Sequence, residues 1–137
     1  MDKATILKSV NAICKNTLME TLSIEYIDIG ADFITARMPV TPKVHQPDGI
    51  LHGGATAALA ESVGSAAVFI LQRDPNAQVR GIEITARHLR SVSSGYVYAI
   101  ARAQHSGKTL QLWEIRIEDE DQNLISLCTL TTLSRSR

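Results

Sequence analysis

One alanine-rich stretch, residues 55–72 (ATAALAESVGSAAVFILQ), limits most strongly what this chain can fold into. Alanine has the highest helix propensity and no proline interrupts the stretch, so it predicts one long helix. Gly53 and Gly54 open this helix, and the segment Arg73-Asp74-Pro75-Asn76 ends it, because proline cannot continue a helix. Much of the remaining sequence has the period of two that is typical of strands. The fold must therefore place several strands around one central helix.

The segment before this helix predicts a short N-terminal helix followed by a hairpin. The first sixteen residues carry apolar side chains at helical spacing. From Leu22 the period changes to two, which predicts Ile24, Tyr26 and Asp28 on one face of a strand. The turn at residues 30–32 (GAD) leads into a second strand, FITARMPV, and the loop at residues 41–51 follows.

Four strand-like segments follow the central helix, at residues 79–90, 95–104, 109–119 and 124–133. The third alternates most clearly, with Trp113, Ile115 and Ile117 on one face and charged residues on the other. Since each segment is separated from the next by a short turn, we expect these four strands to form a meander.

This order of elements predicts an α+β fold, in which one long helix packs against about six antiparallel strands. At 137 residues the chain has the length of one domain, so residues 1–137 are expected to form a single domain. One helix covers only one face of the sheet, and one edge strand stays unpaired. Both features indicate self-association.

The composition excludes several classes of partner. Lys plus Arg number 14 and Asp plus Glu number 14, so no net field attracts nucleic acid or an anionic membrane. Glu61, Ser62 and Ser65 interrupt the most apolar run, which makes it a poor membrane span. The two cysteines, Cys14 and Cys128, lack the spacing of a zinc site or a disulfide framework. We expect a cytoplasmic protein without a metal, a nucleic-acid partner or a membrane partner.

The start of the central helix is the first candidate site. The first amide groups of a helix lack internal acceptors, and the helix dipole favours negative charge there. Gly53 and Gly54 leave this backbone accessible, while Gln46 and His52 add side-chain donors nearby. Such a group can stabilise an oxyanion or polarise a carbonyl. The alternative is an ordinary glycine-opened helix with a capping histidine.

Glu61 is the second candidate. It lies in a tract of small residues, where a carboxylate is costly to bury unless it is paired or has a chemical task. Ser65 follows four residues later and so shares the same helix face. The alternatives are a salt bridge to Arg87 or Arg90, or a glutamate that faces solvent.

The spacing of the two candidates has a geometric consequence. Gly53 and Glu61 lie about 12 Å apart along one helix, whereas reacting atoms must approach to about 3–3.5 Å. If both serve one reaction, Glu61 must come from a second subunit of a two-fold dimer with two equivalent sites. Small residues would let two central helices pack closely, namely Ala57, Ala60, Gly64 and Ala67.

The stretch HQPDGILHGGATAALAESVGS resembles the signature of hotdog-fold acyl-CoA thioesterases. The most similar branch contains the phenylacetate-pathway, glutamate-type 4-hydroxybenzoyl-CoA and enterobactin-pathway proofreading thioesterases. The resemblance covers nearly the whole chain, including ITARHLRSVSSG and QHSGKTLQLWEI. It implies a hotdog fold, with the sheet wrapped around the helix, and hydrolysis of an aryl- or medium-chain acyl-CoA. Coenzyme A is then part of the substrate and no cofactor is needed. We expect a homotetramer, built as a dimer of dimers.

The resemblance also implies roles for individual residues. The Gly53 amide polarises the thioester carbonyl, which Gln46 and His52 orient. Glu61 of the partner subunit is the nucleophile or general base, and Ser65 places the water or the acyl group. Cationic positions meet the CoA phosphates. Further substrate contacts are implied at Gly54, Ser62, His88, Arg90, His105, Ser106, Gly107 and Lys108.

Three other functions compete with this one. A metal hydrolase would use His45, Asp48, His52 and Glu61, although these residues lack a helical histidine pair. A hotdog dehydratase would use an Asp and a His, for which Asp48 and His52 are candidates. A non-catalytic acyl-CoA-binding or assembly protein could share the same fold, but the joint presence of Glu61, Gln46 and His52 argues against it.

Overall fold

The computed structural model describes residues 2–72 and 76–136, so the predicted helix-ending residues 73–75 lie outside the described part. It contains the predicted helices and strands, and one short helix, α2, that the sequence pattern did not indicate. The elements are α1 (Lys3–Ile13), α2 (Leu18–Thr21), β1 (Glu25–Ile29), β2 (Phe33–Pro39), a 3-10 turn (Pro42–Val44), α3 (Gly53–Gln72), β3 (Ala77–His88), β4 (Tyr96–Ser106), β5 (Leu110–Glu118) and β6 (Leu124–Ser136).

The strands form one six-stranded antiparallel sheet in the order β1-β2-β4-β5-β6-β3. With α3 packed across it, this is the predicted α+β hotdog fold. The predicted four-strand meander is wrong in one respect, because only β4, β5 and β6 are sequential neighbours. β3 instead pairs with β6 at the far edge. The reason is that α3 crosses the sheet and delivers the chain to the edge opposite β1, which leaves β4 to pair with β2.

The small residues of α3 pack against the sheet of the same chain. Ala60 and Ala67 are fully buried there, and a Cβ atom on Gly64 would lie 2.5 Å from Leu130 Cδ2. These residues therefore let α3 approach its own strands, where Leu59 and Val63 complete the core. The prediction that Ala57, Ala60, Gly64 and Ala67 provide a helix–helix contact is wrong for the three buried residues, since their own sheet covers them; Ala57 is half-buried.

α3 is long and apolar enough over Gly53–Leu71 to cross a membrane by length and composition alone. In this structure it contacts every strand from β2 to β6. Its apolar character is thus accounted for by packing in the core of the domain.

One strand face also differs from the prediction. Tyr26 lies opposite Ala36, but Asp28 lies opposite Thr35, with a register shift between them. This bulge at Ile27 reverses the alternation. Tyr26 is buried in the core, whereas Asp28 faces away and pairs with Lys3 Nζ at 2.7 Å.

Candidate active site

A pocket of about 350 Å³ lies at the N-terminus of α3. It is formed by the loop before α3, the end of β3 and the start of β6. Its polar lining includes Gln46, Gly53, Thr56, His88, Arg90 and Ser126. Four of these, Gln46, Gly53, His88 and Arg90, are predicted site residues, and the fold brings them together from distant parts of the chain. We call this cavity the helix-start pocket.

The cap of α3 leaves one amide donor free. The His52 carbonyl accepts hydrogen bonds from the amides of Ala55 and Thr56, at 3.0 and 3.2 Å. His52 Nδ1 accepts a third from the Gly54 amide, at 2.7 Å. The Gly53 amide has no acceptor among the described residues and lines the pocket. It is therefore the donor available to a ligand carbonyl.

His52 is consequently the helix cap, as the alternative interpretation of this residue proposed. Because Nδ1 accepts the Gly54 proton, Nε2 carries the proton of the neutral ring. The Gly54 amide is satisfied by this ring and differs in that respect from the Gly53 amide. The hydrogen bond between the His52 side chain and the Gly54 amide thus stabilises the helix start that presents Gly53.

Gln46 reaches the pocket from a tight turn. The Gln46 amide donates to the Ile50 carbonyl at 2.8 Å, and the Gly49 amide donates to the Gln46 carbonyl at 3.0 Å. Gly49 has φ +82°, a conformation that favours glycine. The polar loop of the sequence is thus folded back on itself, which holds the Gln46 side chain at the mouth of α3.

A second and larger pocket, of about 640 Å³, contains Glu61, Ser62 and Ser65. Its remaining walls come from other residues of α3 and from α1, α2, β1 and the start of β3. They are mainly apolar and include Val10, Ile13, Cys14, Leu18, Met19 and Phe69. We call this cavity the Glu61 pocket. An apolar wall beside a carboxylate suits a ligand with an apolar group attached to a reactive carbonyl.

Glu61 lies against the first half of β3, at Gly81. A Cβ atom on Gly81 would lie 2.6 Å from Glu61 Oε2, so the absent side chain of Gly81 makes room for the carboxylate. Glu61 forms no salt bridge with any described residue. The alternative of an ion pair to Arg87 or Arg90 is therefore wrong, and the carboxylate stays available.

The helix around Glu61 is anchored by a buried tyrosine. Tyr26 donates its hydroxyl to the Ser62 carbonyl at 3.1 Å, and burial raises the pKa of that hydroxyl above its usual value. Tyr26 thus stays protonated and keeps donating. The Ser62 hydroxyl donates to the Ala58 carbonyl at 2.7 Å, so it is bound to its own helix. Ser65 lines the cavity one turn further on.

The turn with the remaining predicted contacts lies elsewhere in the protomer. His105 and Ser106 end β4, and Gly107 and Lys108 lead into β5. None of the four lines either pocket. The Gly107 amide donates to the Leu110 carbonyl, which makes the turn tight. The sheet register fixes the position of this turn. Leu110, the first residue of β5, lies opposite Leu133 of β6, and Leu133 lies opposite Arg80 of β3. The turn therefore lies near the Ala77 end of β3.

Three residues in or beside these cavities have contacts that matter to the site, although the sequence did not indicate them. Ser126 is fully buried and bonds His88 Nδ1 at 2.8 Å. Thr56 is buried and lines the helix-start pocket, and Gly81 makes room for Glu61. Each lies in a segment whose pattern is explained by secondary structure alone. Only their contacts across the fold reveal them.

The metal-hydrolase alternative lacks a ligand set. Among residues 2–72 and 76–136, no three His, Cys, Asp or Glu side chains are grouped as metal ligands. His52 is occupied at the helix cap and Glu61 lies in the other pocket. The pair proposed for a dehydratase, Asp48 and His52, does not line the helix-start pocket together either.

Comparison with known proteins finds relatives in both sequence and structure. The model of the thioesterase superfamily matches residues 48–126. The proofreading thioesterase EntH of Cronobacter turicensis is 45% identical over 126 residues, covering 92% of this chain and 91% of that protein. A solved thioesterase from Haemophilus influenzae superposes with a TM-score of 0.92 at 38% identity, covering 95% of this chain and 90% of that one. A mutant thioesterase from Pseudomonas aeruginosa has TM-score 0.92 and 37% identity, covering 96% and 94%.

Proposed function

Because this chain belongs to the thioesterase superfamily and is a thioester hydrolase, we propose that it cleaves an aryl- or medium-chain acyl-CoA at a site shared between two subunits. The observation that carries the proposal is the position of the two pockets. The helix-start pocket includes His88, the last residue of β3, whereas the Glu61 pocket includes Ala77, its first residue. A single chain thus keeps the two halves of the chemistry at opposite ends of one strand.

Pairing of two copies along β3 would join these halves. β3 is 12 residues long and lies at an edge of the sheet. In an antiparallel pair around a two-fold axis, the His88 end of one strand lies beside the Ala77 end of the other. The helix-start pocket of one protomer then faces the partner's Glu61 pocket. The partner's turn at residues 105–108 lies at the same end.

The proposed reaction follows from this arrangement. The Gly53 amide donates to the thioester carbonyl oxygen and stabilises the negative charge that develops there. Glu61 of the partner subunit attacks the carbonyl carbon, or removes a proton from a water that attacks it. The carbon–sulfur bond then breaks, and the thiolate takes up a proton and leaves as CoA. If Glu61 attacked, the acyl group is now held as a mixed anhydride, which water hydrolyses to the free acid and the restored carboxylate. If water attacked, the free acid forms directly, and in either case no cofactor takes part.

The two ends of the substrate would meet different surfaces. The apolar walls of the Glu61 pocket suit an aryl or medium-chain acyl group, with Ser65 close to the carbonyl end. Arg90 at the rim of the helix-start pocket, with Lys108 of the partner subunit, suits the CoA phosphates. The relative EntH of Cronobacter turicensis is a proofreading thioesterase, which supports the branch that also holds the phenylacetate-pathway and 4-hydroxybenzoyl-CoA enzymes. Two dimers would assemble into a tetramer. The free cysteines Cys14 and Cys128 favour the cytoplasm.

Mixing two inactive variants tests the shared site. Glu61→Ala and Gln46→Ala should each lose activity in a thiol-release assay with benzoyl-CoA and hexanoyl-CoA. After subunit exchange, half of the dimers are mixed and each contains one intact site, so about a quarter of the wild-type rate should return. Glu61→Ala mixed with Glu61→Gln, which damages the same half-site twice, is the matched control. Failure to recover activity after exchange verified by mass spectrometry would refute the shared site.

A further inference from the structure

His88 and Gly53 are in direct contact. A Cβ atom on Gly53 would lie 2.7 Å from His88 Nε2 and 3.0 Å from His88 Cδ2. Only glycine leaves space for the ring edge at this position. The Cβ and amide nitrogen of one residue are about 2.5 Å apart, so Nε2 lies within about 5 Å of the Gly53 nitrogen. Two donors that bind the same carbonyl oxygen have a separation of this size.

The other ring nitrogen of His88 is held by Ser126. Nδ1 lies 2.8 Å from Ser126 Oγ, and the two residues are opposite each other in the β3–β6 pair. Ser126 is fully buried, and His88 Nδ1 is the one partner of its hydroxyl among the described residues. The contact therefore fixes the ring on the strand, since both residues belong to the same antiparallel ladder.

The burial of Ser126 determines the direction of this hydrogen bond. If Nδ1 carried the proton and donated it, the serine hydrogen would be buried without an acceptor, which is costly. The hydroxyl therefore donates to an unprotonated Nδ1. A neutral imidazole has one N–H, so the proton lies on Nε2, the nitrogen beside Gly53.

From this geometry we propose that Nε2–H of His88 is the second donor of the oxyanion site, beside the Gly53 amide, and that Ser126 is the positioning residue that sets its tautomer. This inference rests on the proposed thioester hydrolysis. His52, which caps the helix, accepts a hydrogen bond from the Gly54 amide through its Nδ1 and is exposed. His88 thus acts on the carbonyl oxygen, and Ser126 acts only through His88.

The first experiment reads the tautomer directly and does not depend on activity. Protein labelled with 15N-histidine is examined by long-range proton–nitrogen NMR, with the His88 signals assigned by their loss in His88→Gln. We expect the neutral form of the His88 ring to carry its proton on Nε2, and this tautomer preference to be lost in Ser126→Ala. A proton on Nδ1 in the wild type overturns the inference, even if the protein hydrolyses thioesters. Thr129→Val, a hydroxyl removed from the opposite face of β6, should leave the His88 signals unchanged.

The second experiment tests the coupling in kcat. Loss of one oxyanion donor lowers kcat by about a hundred-fold or more, which is the expectation for His88→Ala. Loosening that donor by Ser126→Ala should cost about ten-fold in kcat with KM little changed. In the His88→Ala background, Ser126→Ala should cost nothing further. An equal loss in both backgrounds would show that Ser126 acts through stability and overturn its positioning role. Thermal unfolding of every variant identifies misfolded protein. If the wild type cleaves no acyl thioester, the proposed function fails while the tautomer still decides the inference.

Discussion

The two edge strands of the sheet, β1 and β3, differ in what binds their outer backbone groups. At the β1 edge, α1 lies alongside the strand, and Asn11 binds both backbone groups of Tyr26. Its Nδ2 donates to the Tyr26 carbonyl at 3.0 Å and its Oδ1 accepts from the Tyr26 amide at 2.8 Å. At the β3 edge, a longer strand has no such partner from another element among the described residues: its side-chain-to-backbone bond, from Arg80 Nη1 to the Val79 carbonyl at 3.0 Å, comes from the strand itself. One edge is closed by an amide that imitates a neighbouring strand, and the other is open.

Both edges nevertheless carry the same local device. Each has a bulge at an isoleucine, Ile27 in β1 and Ile82 in β3. A bulge disturbs an edge and can by itself discourage pairing. Ile27 is half-buried, whereas Ile82 is 55% exposed. An edge that is free to pair can thus still carry a bulge, which restricts how another strand pairs with it. At the open edge Ile82 stays exposed where the proposed dimer would bury it, whereas the matching Ile27 of the closed edge is half-buried within its own chain.

The largest effect is expected from a charge placed on the open edge. Ile82→Lys would put two lysines close to each other across a two-fold β3 pair, so we expect monomers and a loss of activity of about a hundred-fold or more. Light scattering and the thiol-release assay measure both quantities. Ile27→Lys, the matching change at the closed edge, should leave the oligomeric state unaltered. A fully active Ile82→Lys monomer would contradict the dimeric site.

A smaller effect is expected when the closed edge is opened. Asn11→Ala removes two hydrogen bonds from the Tyr26 backbone, which should lower the free energy of unfolding by about 1–3 kcal/mol. The variant should stay oligomeric and active at low temperature, but aggregate sooner on heating because β1 now presents free backbone groups. Urea unfolding and light scattering during a thermal ramp measure these changes. Unchanged stability would show that water replaces Asn11 without loss.

The smallest effect concerns the turn at the Ala77 end of the open edge. If Lys108 of the partner subunit contacts the CoA phosphates, Lys108→Ala should raise KM for acyl-CoA several-fold with kcat little changed. An acyl-pantetheine substrate lacks the nucleotide, so its KM and kcat should be the same with Lys108→Ala as with the wild type. Lys15→Ala, an exposed lysine in the turn after α1, is the control. Equal losses on both substrates would assign Lys108 to folding or chemistry.

Much of the fold could be predicted from local patterns. The alanine-rich stretch did form α3, and Trp113, Ile115 and Ile117 are buried on one face of β5 as their alternation indicates. The face of Asp28 was wrong, because a bulge inserts one residue and reverses everything after it. The prediction that the small residues of α3 pack against a second helix was also wrong, because the sheet of the same chain buries most of them. A stripe of small side chains predicts close packing, but it does not say against which surface.

The candidate site shows the same division. The sequence indicated Gln46, Gly53 and Glu61 because each is chemically unusual in its setting, with bare amides at a helix start or a carboxylate among alanines. Ser126 and Gly81 could not be found in this way, since serine and glycine are common in strands. Their meaning comes from what lies across the sheet, namely His88 Nδ1 and the Glu61 carboxylate.

By itself the sequence determined the types of the elements, the glycine-opened start of α3 and the spacing of Gly53 and Glu61, which is too long for both residues of one chain to contact the same carbonyl group. These depend on properties of single residues or of neighbours in the chain. Only the tertiary structure decided that β3 lies at the far edge, that Asn11 closes the other edge, and that the two pockets occupy opposite ends of β3. Backbone hydrogen bonds are the same for every strand, so the choice of neighbour depends on how the whole chain packs.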